Sequence, residues 1–584
     1  MLDPRIYRAA FLPILFALVL VGFSLRDQPR PLTTTLAPDA FDGASAFAQL
    51  EQLAAAAPTR RPGSAGDELV ADRVEQALRD NGFRVRTSRA RGQTADGERE
   101  LTTVVGERVG FSNRRILVVA HRDTLGRGAK AELSGTAGLL ELARVLGGRT
   151  LKRTLVLAST SGGSAGVAAA DALADAPGGP VDAVIVLGDL AGSGTARPLV
   201  VPWSQSTAIA SLELRRTVEA AVAGEVGTRA GGDRPAVQFA RLALPLTPGE
   251  QGPFNARGIP AVLLSASGEL PPTADEPVSE ERLTGFGRAA LRSIGALDRG
   301  DEIPSPSAYV VLEHKVLPAW PVRLLAVALV LPVLLAAIDA LARVRRRRER
   351  VGAWLVWVGA GCLPFLLAGL FAIGLFRTGL LDTATSVPSP AGAVSVGGAV
   401  LVAVLVALAL GWFVLRPFLV RLAGLTGAVP ASGAATATVL VLCAVTCAIW
   451  LANPFACLLV VPALHLWLLA VAPEIQMSRA VGLLLFAIGL LPPLLVAYAL
   501  ARQFGLGLVE LGWTGLLLIA SGGIGVVTLL LWSILLGCTV AVFVILLRAT
   551  RGRDVANDVP ITLRGPATYA GPGSLGGTES ALRR

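Results

Sequence analysis

Arg115-Ile116-Leu117-Val118-Val119-Ala120-His121-Arg122-Asp123-Thr124 is the stretch that decides the fold. Ile116 to Ala120 are apolar and rich in β-branched side chains, and polar residues from His121 to Thr124 follow at once. A short run of this kind, closed abruptly by polar residues, reads as a strand over Arg115–Ala120 that is buried on both faces. Downstream, residues 126–135 read as a glycine-containing loop and Thr136–Leu146 as a helix. Thr154–Ser159, Ala183–Leu187 (ending in Gly188-Asp189) and Ile259–Leu264 read as further buried strands. Upstream, Arg61-Pro62-Gly63-Ser64-Ala65-Gly66 is a turn. It leads into a helix over Asp67–Asn81, where Leu69, Val70, Val74, Ala77 and Leu78 recur at helical spacing. Gly82 caps that helix, and Phe83–Thr87 begins another strand. Strands alternating with helices predict an α/β domain, a mixed sheet covered by helices on both faces. Polar residues just past strand C-termini are where such sheets place active sites.

Further out, the composition splits in two. Of 584 residues, 53% are hydrophobic and only 16% charged, against about a quarter charged in soluble domains. Residues 26–316 read as an ordinary soluble domain, whereas residues 317–547 are almost continuously apolar. The net charge of +10 sits largely in arginines flanking apolar segments. That is the pattern of a membrane protein, and it excludes nucleic acid as a partner. The five cysteines (Cys362, Cys443, Cys447, Cys457, Cys538) all lie in apolar segments, so no disulfide framework holds the soluble part.

The first apolar run is Ala9–Leu25. A cleaved signal peptide and an uncleaved anchor both fit it, but Gly22-Phe23-Ser24-Leu25-Arg26 is a poor small-residue cleavage site, which favours the anchor. The next run, Leu324–Ala342, ends in Arg343, Arg345, Arg346, Arg347, Arg348 and Arg350. Such a cluster belongs on the cytoplasmic side, which places residues 26–316 outside the cytoplasm. Further runs are Val351–Phe376, Ala393–Leu415, Gly433–Ala452, Phe455–Ala472, Ala480–Ala501 and Trp513–Leu547. The last is too long for one span, and Ser521-Gly522-Gly523-Ile524-Gly525 is where it should break. The expected organisation is a cytoplasmic N-terminus (1–8), an anchor (9–25), a linker (26–40), an external domain (41–300), a juxtamembrane linker (301–323), a seven-span all-α bundle (324–547) and a disordered cytoplasmic tail (548–584). That makes eight spans in a multi-pass protein of the plasma membrane, with both termini in the cytoplasm.

Arg61-Pro62-Gly63-Ser64, the helix after it and Asn81-Gly82-Phe83-Arg84-Val85 resemble the opening of the secreted di-zinc aminopeptidases, metallopeptidase clan MH. So do Ala120-His121-Arg122-Asp123, the Ser134-Gly135 leading into Gly138-Leu139-Leu140-Glu141-Leu142-Ala143, and Gly252-Pro253-Phe254 with Gly258-Ile259-Pro260-Ala261. The resemblance covers roughly residues 45–300 and implies that family's α/β fold. It also implies a site with two zinc ions, a bridging carboxylate and a glutamate base.

Carried over residue by residue, the first metal histidine matches His121, and its supporting aspartate matches Asp123. The bridging aspartate falls on Ala131 in Gly128-Ala129-Lys130-Ala131, with Lys130 beside it; a shift of one residue makes Glu132 a substitute bridge. The base falls on Gly163 and the ligand after it on Ser164. The later aspartate matches Asp189. The last histidine falls on Gln251, next to Glu250. His121 and Asp189 thus survive as ligand positions, while Ala131, Ser164 and Gln251 mark lost ones and Gly163 a lost base. The chain has three histidines in all: His121, His314 beside the membrane and His465 inside a span. Two ligands do not hold two zinc ions, so the expected cofactor is none, with zinc the cofactor of the alternative reading. The bland readings pair His121 with Asp123 at a strand end and make Asp189 a loop cap. Lys130, Glu132, Glu250 and Gln251 are the candidate cleft residues, with Lys130 expected to pair with Asp123 or Asp189.

The arrangement of one span, an external peptidase-like domain and a bundle resembles the attachment subunit of the eukaryotic GPI transamidase. This implies a non-catalytic module that binds a peptide or protein partner outside the cytoplasm while the bundle contacts membrane lipid. A metallo-aminopeptidase with an altered or mononuclear site, and a lipid- or solute-handling bundle with an accessory domain, stand as alternatives.

Overall fold

The structure is a computed structural model describing residues 4–34, 38–347, 351–381, 386–388, 395–424, 432–472, 474–475 and 477–548. Arg348, Arg350 and the tail from residue 549, expected to be disordered, lie outside the described residues. The strands are β1 (Arg26–Asp27), β2 (Arg84–Thr94), β3 (Gly97–Arg108), β4 (Ser112–His121), β5 (Arg153–Thr160), β6 (Val181–Leu187), β7 (Val200–Val201), β8 (Ala261–Leu264), β9 (Tyr309–Val311) and β10 (Lys315–Pro318). Seven form one mixed sheet in the order β2-β3-β5-β4-β6-β8-β7. Its centre, β5-β4-β6-β8, is parallel and both edges are antiparallel.

Side chains alternate across β4 with the strand period of two. Ile116, Val118 and Ala120 enter the core on one face, and Leu117 and Val119 the core on the other. Helices Gly43–Ala56, Ala65–Asp80, Lys130–Gly147, Leu212–Glu225 and Glu280–Arg299 cover the first face, contributing Leu50, Val74, Leu142, Val218 and Ile294. Helices Ala168–Asp175, Pro235–Ala243 and Gln251–Ala256 cover the second through Ala170, Leu242 and Phe254. The expected α/β class, with helices on both faces, is therefore what the chain adopts.

Two local readings change. The segment expected as a loop over residues 126–135 is helical from Lys130. Gly135 is needed there for close approach rather than for a turn: a Cβ on it would lie 2.5 Å from the carbonyl oxygens of Leu187 and Gly188. The segments 26–40 and 301–323, expected as linkers, carry β1, β9 and β10. These form a separate antiparallel sheet in which Arg26 faces Val316.

Among the described residues, eight helices are long and apolar enough to cross a membrane. They are Ile6–Phe23, Ala319–Arg346, Val351–Arg377, Gly398–Leu422, Ser432–Ala452, Pro454–Val471, Arg479–Phe504 and Val526–Arg548. Leu508–Ala520 is a shorter apolar helix, and the chain turns over residues 521–525 before the last long one.

The α/β domain sits directly on one end of these helices. Asn453 caps helix Pro454–Val471, accepting from the Phe455 and Ala456 amides, while its Nδ2 donates to the Leu242 and Ala243 carbonyls of the domain. Phe455 meets Phe239 edge to face at 5.5 Å. Buried Arg241 bonds Glu269 at 2.5 Å and lies over the rings of Trp203 and Phe504, and Gln503 donates to the other Glu269 oxygen at 2.8 Å. Asn453-Pro454, between two of these helices, is thus a joint between the two parts.

Candidate functional site

His121 is the last residue of β4, a central parallel strand, and Asp189 lies two residues past the end of β6. Both therefore face the crevice beyond the strand C-termini. Glu132 reaches it from the first turn of helix Lys130–Gly147, and Glu250 from the residue before helix Gln251–Ala256. Together with Gly163, Ser164 and Gly188 they line a cavity of about 50 Å³, room for a few water molecules.

The His121 ring sits between two carboxylates, with Nδ1 3.6 Å from Glu250 and Nε2 3.7 Å from Glu132. Burial opposes its charge. Glu132, Glu250 and nearby Asp123 outweigh that and hold its pKa well above the usual range. Glu132 also accepts from the Thr124 hydroxyl, and Glu250 from the Thr160 hydroxyl at 2.7 Å. Asp123 does not bond His121. It accepts from the backbone amides of Gly163 (3.0 Å) and Ser164 (3.2 Å) and from the Ser164 hydroxyl, fixing the loop after β5. At Gly163 a Cβ would lie 2.5 Å from the Cβ of His121 and 3.0 Å from Cδ of Glu250, so no side chain fits there without displacement.

The remaining positions separate. Asp189 turns one oxygen to the amides of Ala191 (3.0 Å) and Gly192 (2.6 Å), as a loop cap, while its Oδ2 is buried without a partner. Burial raises its pKa against those two amides. His121 Nε2 and Glu250 Oε2 are also buried without a hydrogen bond. Gln251 faces away from the cavity, donating to the Trp203 carbonyl (3.2 Å) and the Thr247 hydroxyl (3.0 Å), so Glu250 is the member of that pair opposite His121. Lys130 does not approach Asp123 or Asp189: it pairs with half-exposed Glu51 at 2.7 Å. Ala131 is fully buried. Consecutive helical residues point about 100° apart, so with Glu132 facing the cavity, Lys130 and Ala131 face elsewhere.

Positive charge comes instead from two arginines whose site role the sequence reading missed. Arg60 is fully buried and donates to the carbonyls of Ala57, Arg122 and Ala129. Burial lowers its pKa, and Glu132, Asp123 and Asp67 act against that. Arg122, equally buried, pairs with Asp67 at 2.9 Å and donates to the carbonyls of Asp67, Ser159 and Thr102. Asp67 also accepts from the Ser161 hydroxyl at 2.5 Å and the Gly63 amide at 3.0 Å. The available signal was position: an arginine between two site residues, straight after a fully buried strand, needs a buried partner.

Burial and Asp123 push Asp67 up to about 6, against Arg122, Ser161 and Gly63. The folded domain then binds this proton more tightly than the unfolded chain does. The resulting stabilisation is complete below pH 3.8 and is lost as the pH rises to about 6, worth roughly 3 kcal/mol over that window. The fall in melting temperature between pH 4 and pH 6 should shrink in Asp67→Asn. An identical slope in the variant would show that the group titrating there is not Asp67.

Among the described residues, no group of three or more His, Cys, Asp or Glu side chains is arranged to hold a metal ion. Compared with known families, residues 103–276 match the model of Peptidase family M28. No curated protein matches the chain. Solved structures that resemble it include three bacterial proteins. A glutaminyl cyclase of Porphyromonas gingivalis is 18% identical, with TM-score 0.33, over 44% of this chain and 98% of its own. A leucine aminopeptidase precursor of Bacteroides thetaiotaomicron is 14% identical, with TM-score 0.35, over 46% and 100%. A Zn-dependent exopeptidase of Parabacteroides distasonis is 16% identical, with TM-score 0.32, over 44% and 99%.

Proposed function

We propose that this chain, with its M28 peptidase-like domain, is a membrane-anchored protein that performs no peptidase chemistry and uses the external domain to hold a peptide or protein partner. What carries the reading is what stands at the matching ligand positions. Ala131 is buried in a helix, the Ser164 hydroxyl bonds Asp123, and Gln251 faces Trp203 and Thr247, so none of the three offers a carboxylate or an imidazole to a metal. Two zinc ions do not fit these residues: the position matching the base is Gly163, closed by His121 and Glu250. Buried Arg60 and Arg122 supply the cationic charge that neighbouring carboxylates require.

The bundle reading follows from the eight apolar helices. With alternating spans, Arg343, Arg345, Arg346, Arg347, Arg416, Arg421 and Arg548 fall at one end, the cytoplasmic one. The domain then lies outside the cytoplasm. The cavity base admits only small groups. Unpartnered oxygens of Glu250 and Asp189 suit a cation such as a peptide α-amino group, with the rest of the partner on the rim formed by Pro248, Gly249 and residues 267–272.

A second reading, a mononuclear metallo-aminopeptidase, is favoured by the three unpartnered atoms His121 Nε2, Asp189 Oδ2 and Glu250 Oε2 that border one cavity. Metal analysis of the purified full-length protein separates the two. The non-catalytic reading expects no stoichiometric zinc, superimposable melts with and without chelator, and no hydrolysis of aminoacyl substrates. Stoichiometric zinc with chelator-sensitive hydrolysis would instead establish the enzyme.

A further inference from the structure

Residues Gly411–Leu415 form a π-helix in the middle of Gly398–Leu422. A π turn holds one residue more than an α turn, and such bulges are frequent at functional positions. At its start Gly411 packs on the neighbouring helix, where a Cβ would lie 3.0 Å from Cα of Pro364. At its end comes Arg416, whose guanidinium lies 4.6 Å from the ring centre of Trp412 and 5.7 Å from that of Trp357. Its Nε is buried and has no hydrogen-bond partner. That nitrogen lies near the seam of helices Val351–Arg377 and Val526–Arg548, beside Gly361. No carboxylate pairs with Arg416 among the described residues. Asp339 is held by Arg343, and Glu510 bonds the Gly507 amide. Arg548 adds a second positive charge that acts on Arg416.

A guanidinium drawn in among helices without a counter-charge is costly, and the described residues offer none. The Arg416 Nε lies beside Gly361, about 15 Å in from the beginning of Val351–Arg377, and its guanidinium reaches Trp357, one turn nearer that end, and Trp412, as a long side chain drawn toward the interface does. Tryptophans gather at headgroup depth, where the available anion is a lipid phosphate. The planar fork of arginine suits phosphate oxygens. A second arginine favours a headgroup with net negative charge over a zwitterionic one. We propose that Arg416, between Trp357 and Trp412, binds the phosphate of an anionic phospholipid in the leaflet at the arginine-rich end of the bundle.

This rests on the reading of these helices as membrane spans, so partitioning of the full-length chain is determined first: a chain recovered without detergent in the soluble fraction sinks that reading. On the membrane-extracted protein, native mass spectrometry then measures retained phosphatidylglycerol against phosphatidylcholine. Wild type should retain phosphatidylglycerol preferentially. Arg416→Met should lower its retention about tenfold, the equivalent of one charge-assisted hydrogen bond. Arg421→Met, an exposed position on the same helix, should leave it unchanged. Arg416→Lys keeps the charge and guards against misfolding of the methionine variant, and it too should retain less because the fork is gone. Equal retention by wild type and both Arg416 variants overturns the proposal. So does protection of the wild-type melting transition by inorganic phosphate to the same extent as by phosphatidylglycerol, since the site would then be one for a free anion.

Discussion

Arg122→Met should unfold the α/β domain or bring it close to unfolding. The substitution deletes the partner of Asp67 and leaves the carbonyls of Ser159 and Thr102 without this donor, in a region where Arg122 and Asp67 are both fully buried. Removing one member of a buried ion pair costs about 3–5 kcal/mol, which in a domain of this size lowers the melting temperature by roughly 6–20 °C. Adding Asp67→Asn should recover part of the loss, because the uncompensated charge goes while the orphaned carbonyls stay. Thermal melts of the two variants at neutral pH test this. If the double variant is as unstable as the single one, the pair is not what holds the loops around His121.

Gly135→Val should also destabilise the domain strongly, by a different route. The carbonyl oxygens of Leu187 and Gly188 stand 2.5 Å from where the new Cβ must go, and they belong to the end of β6, which cannot yield like a flexible side chain. Overpacking of this kind costs about 1–3 kcal/mol and more where backbone is in the way. Helix Lys130–Gly147 must then lift from the sheet, and Glu132 leaves the cavity with it. Besides the lower melting temperature, the pKa of His121, read by NMR, should fall back towards its ordinary value as it loses one of its two carboxylates. A His121 titration unchanged from wild type would mean the helix had not moved.

The strands were legible because buried parallel strands are short and almost wholly apolar: Ile116–Ala120 and Ala183–Leu187 carry no polar residue to blur them. The long apolar helices were legible for the same reason. The start of helix Lys130–Gly147 was hidden because glycine has two uses, and at Gly135 close packing rather than a turn is the relevant one. Hairpin β2-β3 escaped beyond its first residues because its polar, exposed edge (Arg84 to Thr94) lacks an apolar signature. Within the site, the resemblance named Lys130, Glu132, Glu250 and Gln251 together but not which of them faces inward. Glu250 rather than Gln251, and Glu132 rather than Lys130, line the cavity, a matter of helix phase that a motif does not encode. Arg60 and Arg122 were passed over because arginines usually sit at the surface.

The small sheet at the neck bears on how such a chain can be built and dismantled. Since Arg26 stands across from Val316, the polypeptide departs from the first apolar helix and returns to the second at points one strand spacing apart, about 5 Å. In topological terms the whole α/β unit is an insert spliced between two neighbouring helices, and a short hairpin could close the gap it would leave. Its ends would stay zipped together after excision, as in other transplantable modules. Its underside is another matter. Phe239, Leu242 and Leu270 are shielded by Phe455, Phe504 and their neighbours, so a freed unit would carry an adhesive apolar footprint. The insert is therefore modular in its connectivity but wedded to the bundle by its surface.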